Sequence, residues 1–262
     1  MKKKCPVKIG KHDLAVLSGL EYWGILGLGQ IDGLVFSREL ESDERTKLFF
    51  NETDSAVYVG YAYKRLLKLE KAGLIRKVSF VNFPKLYCIT SFGHKTLTMF
   101  GRARSPSFRR SISPALVRHE VTVNAVGLTM REILGLDVRS ELERISEKMN
   151  VRNLARMRSL VLSDLWVVDG DVPKAVEVEL TQKSRGRYRK LWEVYDECMP
   201  CRGLVLYLAG WPGGMTRLCR FAQRFRAHRV RAGSLASFRA DPRKCPFVGP
   251  EPGQTMTFYR RA

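Results

Sequence analysis

The chain has 262 residues, with 46 Lys and Arg against 26 Asp and Glu, a formal charge of +20 that points to a polyanionic partner, nucleic acid first. It contains no run of about 18 apolar residues, and no hydrophobic segment follows Met1–Lys4, so no membrane partner or secretory signal is expected and a cytoplasmic protein is predicted. Six scattered cysteines in a chain with 45% hydrophobic residues need no disulfide frame and are expected to be reduced; Cys198 and Cys201 have ligand spacing, but no second pair completes a zinc site.

Apolar residues at helical spacing over 14–28 predict a first helix, a shorter one is read near 36–48, and 54–75 predicts a third, capped by Asp54 or Ser55 and closed at Gly73. A hairpin follows in "LIRKVSFVNFPKLYCITSFG", turning at Asn82-Phe83-Pro84-Lys85. Three helices and then a hairpin is the order of a winged helix-turn-helix, predicted for residues 1–100. On the third helix Val59, Ala62, Tyr63 and Leu66 form the inward stripe, which leaves Tyr58, Tyr61, Arg65 and Lys68 on the outward row. That row is the expected DNA-reading face, with Arg76, Lys77 and Lys85 of the hairpin gripping the neighbouring backbone. A solvated helix face, or a hairpin used to form a homodimer, is the alternative reading of the same residues.

Residues 101–114, "GRARSPSFRRSISP", interrupt the apolar periodicity and read as a linker, so 115–262 is the second domain, ending in a basic tail. It opens with a helix over 119–136 in which Val121, Val123, Ala125, Leu128 and Ile133 face inward. Strands are predicted at 137–145, 159–170 and 174–180, the last two joined at Asp169-Gly170-Asp171. A helix from Ser184 buries Tyr188, Leu191, Trp192 and Tyr195, a strand follows at 203–210, and an Arg-rich helix is read at 214–229. The fold class is α/β (α+β), with the second domain in the order αβββαβ.

In "KAVEVEL" the alternation of a strand puts Val176, Val178 and Leu180 on one face, and Glu177 and Glu179 on the other. The short turn pairs this strand antiparallel with the one carrying Asp164, which brings three carboxylates toward one face. Like charges so placed are costly unless a proton or a cation joins them, and hard divalent ions such as Mg²⁺ or Mn²⁺ take oxygen ligands while staying partly hydrated. Lys183 follows one step later as a point charge for a phosphate or an attacking water, and Arg185 and Arg187, with Arg189 and Lys190, continue a positive rail. From Thr181 onward there are 17 Lys and Arg against 5 Asp and Glu, so the acids stand out from their surroundings. The alternative is a set of surface carboxylates paired with Arg185 or Arg187.

Asp164 followed by Glu177-Val-Glu179 on consecutive strands resembles the PD-(D/E)xK nucleases with the restriction-endonuclease-like fold. With its winged helix, His119-Glu120, "SELERI" and "EVELTQKSRGRYRKLWEVY", the chain over roughly 14–210 is similar to the replication-relaxation family that includes MobC-type relaxases. The resemblance implies a metal-dependent DNA endonuclease or nickase of a mobile genetic element, acting in plasmid mobilisation or replication on a double-stranded site that becomes partly single-stranded after nicking. It implies Asp164 and Glu177 as metal ligands; the shared strand face adds Glu179 to them, and these three with Lys183 are the candidate catalytic residues, while Glu141 is a weaker candidate for a further ligand or for a salt bridge with a neighbouring arginine. Two positions depart from the pattern: Ser163 precedes Asp164 in place of Pro, and Glu179 occupies the Lys position, with Lys183 as its substitute. The competing reading is a non-catalytic DNA-binding regulator of replication or transcription that keeps the fold as a platform. Histidines at 12, 94, 119 and 228 form no His-x-His pair, which excludes a three-histidine relaxase; Tyr188 and Tyr195 are read as core, with attack on a phosphate by either as the alternative.

Overall fold

The computed structural model describes residues 8–50, 56–80, 83–104, 113–140, 163–169, 172–198 and 203–258. The chain is a mixed α/β protein whose described residues form two sheets, and it divides into two compact units, 1–128 and 129–262. No helix among the described residues is long and apolar enough to cross a membrane.

The first unit holds α1 (Lys11–Trp23), β1 (Leu26–Gly27), α2 (Leu28–Ile31) with a π-helical continuation over Asp32–Phe36, α3 (Ser42–Phe49), α4 (Ala56–Lys71), β2 (Ile75–Phe80), β3 (Phe83–Ile89) and α5 (Ser91–Met99). The helix read over 14–28 ends at Trp23, because Gly24 turns the chain at φ 77° and Leu26 then pairs with Tyr87 of β3. The short segment becomes a third strand in the order β1-β3-β2. Gly73, at φ 75°, closes α4 as its sequence position suggests, whereas the proposed caps Asp54 and Ser55 lie outside the described residues. α5 has no counterpart in the sequence reading: its β-branched threonines and Gly93 make poor helix. The Thr90 hydroxyl caps it by accepting from the Gly93 amide at 3.0 Å, and Gly93 sits where an added Cβ would lie 2.0 Å from the Leu74 carbonyl oxygen. Tertiary fit decides that helix, not propensity.

Helix α6 (Val117–Glu132) begins beyond the segment read as a linker, 101–114, and runs through the division at Leu128. Its first turns belong to the first unit, where Val117 and Val121 pack with Ile25, Leu86 and Cys88. Buried amides fasten it: the Asn124 Nδ2 donates to the Ile25 carbonyl at 2.5 Å, and the Gln30 Nε2 to the Val121 carbonyl at 3.0 Å.

Among the described residues the second unit is built on a seven-stranded sheet of β4 (Asp137–Ser140), β5 (Leu165–Asp169), β6 (Val172–Glu179), β7 (Leu204–Ala209), β8 (Val230–Ser234), β9 (Phe247–Val248) and β10 (Thr255–Met256), in the spatial order β10-β9-β8-β7-β6-β5-β4. β4, β5 and β6 pair antiparallel, and β6, β7 and β8 pair parallel through α7 (Arg185–Cys198) and α8 (Gly214–Arg224). The last antiparallel pairs are β8–β9 and β9–β10. A further helix, α9 (Leu235–Ala240), follows β8. The segment read as a basic tail therefore supplies β8, α9, β9 and β10. Its strand "VRAGS" escaped notice because it offers only Val230 and Ala232 as buried apolar side chains. The Arg-rich helix read to 229 ends at Arg224, and Arg226 follows at a left-handed φ of 54°.

An aromatic core fills one face of the parallel strands, where Tyr188, Trp192 and Tyr195 of α7 pack with Ala175, Tyr207, Ala209, Leu218 and Ala222. Cys88, Cys219 and Cys245 are free thiols; Cys201 lies outside the described residues.

Candidate functional site

β6 is buried on both faces, which alternation alone does not demand. Val176 and Val178 are fully covered on one face, and on the other Glu177 is 7% and Glu179 3% exposed. The acids therefore sit not on a solvated surface but in the interior, under the aromatic wall of α7. Parallel pairing sets Glu177 beside Tyr207 and Glu179 beside Ala209.

Asp164 comes to this place through the end of a ladder. β5 pairs with β6 as far as Leu165 opposite Val176, two residues short of Val178. The Asp164 Oδ2 accepts from the Val178 amide at 2.7 Å. The carboxylate thus continues the sheet by one bond and lies close enough to Glu177 to oppose its ionisation.

Glu177 is buried against its charge. Burial first, and then the Asp164 charge, push its carboxyl up to about 8, while the Tyr195 hydrogen bond and the Lys183 charge pull it down. Its Oε1 accepts from the Tyr195 hydroxyl. Burial holds the Tyr195 and Tyr207 phenols far above their ordinary range and brings Tyr188 to about 12, so all three stay protonated near neutral pH. Tyr188 accepts from the Lys183 amide at 3.1 Å, and Tyr207 from the Trp192 indole at 3.0 Å. Tyr188 and Tyr195 are core, as read, and Tyr195 has a further duty as the donor to Glu177.

Lys183 reaches back four residues from the loop before α7, and its Nζ pairs with the Glu179 Oε2. The cation expected from the sequence therefore stands on the acidic face. Among the described residues neither Arg185 nor Arg187 pairs with a carboxylate: both are exposed, and the Arg185 guanidinium lies 5.4 Å from the Phe221 ring centroid. Among the described residues no three His, Cys, Asp or Glu side chains form a cluster that would hold a metal ion. Asp164 and Glu177 are the close acidic pair, and Glu179 is engaged with Lys183. Glu141 lies outside the described residues.

In the first unit α4 buries Ala62, Leu66 and Leu69 and half-buries Tyr63. Tyr61 is 62% exposed, edge-on to Phe36 at 5.4 Å, and Lys68 is exposed. Arg65 is different: its guanidinium pairs with buried Asp13 of α1 and donates to the Lys8 carbonyl at 3.1 Å. It fastens α4 to α1. Lys64 and Lys71, which the sequence reading passed over, are exposed beside Lys68 at i, i+4 and i+7 spacing; counting outward positions from Leu66 would have found them. Arg76 and Lys77 are exposed on β2, and Lys85 on β3 holds its Nζ 5.1 Å from the Tyr63 ring centroid. The Tyr58 side chain lies outside the described residues.

Comparison with family models, with characterised proteins and with solved structures returned no match.

Proposed function

We propose that the chain is a DNA-binding, divalent-metal-dependent phosphodiesterase, a nickase-type enzyme of a mobile element, with the first unit as its winged-helix reader and the second as a restriction-endonuclease-like catalytic unit. One observation carries the reading: a buried glutamate, Glu177, pressed against a second carboxylate, Asp164, with the charge of Lys183 on the same face. A carboxyl pushed up to about 8 by burial and a neighbouring acid is relieved by a bound cation, and such perturbed groups concentrate where chemistry is done.

Asp164 and Glu177 fit a partly hydrated Mg²⁺ or Mn²⁺, since both are hard oxygen donors and such ions keep several waters. Bound there, the ion would lower the pKa of water and neutralise charge developing on a phosphate. The protein's own groups have separable duties. The Val178 amide fixes one oxygen of Asp164, the Tyr195 hydroxyl orients Glu177, and the aromatic wall of α7 excludes water from the strand face. Lys183 brings positive charge beside Glu179, the duty that the motif's missing lysine would serve. On the first unit the exposed Tyr61, Lys64, Lys68, Arg76, Lys77 and Lys85 are the proposed DNA contacts; Arg65 is held by Asp13.

The second reading, a non-catalytic DNA-binding regulator, is favoured by Glu179 at the lysine position and by the two-carboxylate rather than three-carboxylate grouping. Nicking of supercoiled plasmid with Mg²⁺ or Mn²⁺ separates the two. Wild type should relax the plasmid, and Asp164→Asn should lose about 100-fold or more in rate while its gel-shift affinity in EDTA stays the same. Equal nicking by both proteins, or none by wild type beside intact DNA binding, leaves the regulator.

A further inference from the structure

One charged surface lies apart from these assignments. An open cleft of about 460 Å³ is lined by Gln182, Arg185, Arg217, Arg220, Phe221 and Arg224. Helix α8 sorts its residues sharply: Leu218 and Ala222 are fully buried in the aromatic core, while Arg217, Arg220 and Arg224 are exposed at i, i+3 and i+7. Arg185 approaches from the start of α7 and covers the Phe221 ring. Arg217 donates to the Gln182 side chain at 2.6 Å, and among the described residues no carboxylate lines the cleft. Four guanidinium groups facing one space without a counter-charge repel one another, in a protein already at +20. Guanidinium forks match phosphate oxygens, so an anion of that class relieves the repulsion.

The spacing favours a strand over a single phosphate. With a rise of about 1.5 Å per residue, Arg217 to Arg224 spans about 10.5 Å along α8. A DNA strand advances about 3.4 Å per nucleotide along a duplex, so the row spans about three nucleotide steps. The cleft is also continuous in the chain with the acidic site: Gln182 lines one and Lys183, the next residue, pairs with Glu179 in the other.

From this we infer that the α8 arginine row, with Arg185, is a phosphodiester-binding groove that holds one strand of the DNA next to the Asp164–Glu177 site. The inference rests on the reading of that site as one that acts on DNA, and supplies the strand with a hold independent of α4 and the hairpin. The contacts are to the backbone and carry no sequence preference.

The test uses the full chain in EDTA, with a fluorescein-labelled duplex followed by anisotropy from about 50 to 200 mM salt. Replacing Arg217, Arg220 and Arg224 together by Gln should weaken binding and flatten the slope of log K against log salt by about 3, and the corresponding Lys triple should keep most of the slope. An unchanged slope in the Gln triple overturns the groove. If that triple fails to melt cooperatively, Arg220→Glu replaces it, with a flattening of at least about 1 expected and none overturning the inference. Displacement of the DNA by inorganic phosphate at equal total phosphate also overturns it, because linked phosphates should outcompete separate ones. Parallel nicking assays keep the two ideas distinct. A flattened slope with no nicking by wild type retains the groove and removes the catalytic reading, and nicking with an unchanged slope does the reverse.

Discussion

Two buried carboxylates, one in each unit, have opposite surroundings. Asp13, 1% exposed, faces the Arg65 guanidinium and accepts from the Gly10 amide at 2.7 Å, so its charge is matched inside the fold. Glu177 is almost as deeply buried, yet its hydrogen-bond donor is the neutral Tyr195 phenol and Asp164 is a near neighbour. The first acid has the cation it needs and serves to join α1 to α4. The second is left with an unmet demand for positive charge, which Lys183 meets only in part. Burial alone does not mark a functional acid; burial with the wrong neighbours does.

The contrast predicts opposite responses to removing charge. Arg65→Met leaves Asp13 buried without its cation and should cost about 3 kcal/mol, the lower end for a broken buried pair because the arginine is itself partly exposed. Urea denaturation checks it. A loss under about 0.5 kcal/mol, the range of ordinary surface changes, would place Arg65 back among the residues available to DNA.

Glu177→Gln should act in the other direction. The folded protein holds this proton until pH reaches about 8, while the unfolded chain, with a value near 4.5, releases it earlier. Between those limits the native state binds more protons, so stability falls as pH rises, and the loss is complete once pH passes about 8. Wild type in EDTA should therefore lose stability from pH 5 to 8 relative to Glu177→Gln, by an amount on the order of 2 kcal/mol after allowance for the coupling to Asp164. Parallel stability curves for the two proteins across that range would mean that Glu177 is ionised and already compensated, and the case for a cation at this site would weaken.

The same pair of regions shows what a sequence can reveal. Alternation in "KAVEVEL" was enough to put Glu177 and Glu179 on one face, and the short turn was enough to pair their strand with the one Asp164 precedes, because both are local geometry. That the face is interior was not legible, since it depends on α7 and β7 closing over β6 from further along the chain. Arg65 shows the same limit from the other side. Its position in the helical period marks it as outward, yet whether such an arginine meets solvent or an acid 52 residues away is a tertiary fact, and here it is partly buried against α1. The strands β8 to β10 are not legible because β8 has few apolar side chains and β9 and β10 are two residues each; pairing in series, β8 to β7, β9 to β8 and β10 to β9, defines them.

The smallest effect tests the solvent-facing half of the comparison. Lys68 is exposed on α4, three residues beyond Arg65, and Lys64 and Lys71 stand beside it. Lys68→Gln should therefore change stability by less than about 0.5 kcal/mol, as surface substitutions do. If the row faces DNA, each lysine at a phosphate contributes close to one unit to the salt slope, so this variant should flatten log K against log salt by about 0.9 with no shift in sequence preference. Arg65→Gln should do the reverse, lowering stability while leaving the slope alone in the fraction that stays folded, because its guanidinium is held by Asp13 and the Lys8 carbonyl. Equal slopes for wild type and Lys68→Gln would remove α4 from the DNA interface and leave the hairpin lysines and arginine to carry it. The separation is physical: a cation fixed inside the protein releases no counterion when DNA arrives, and a solvated one at a phosphate does.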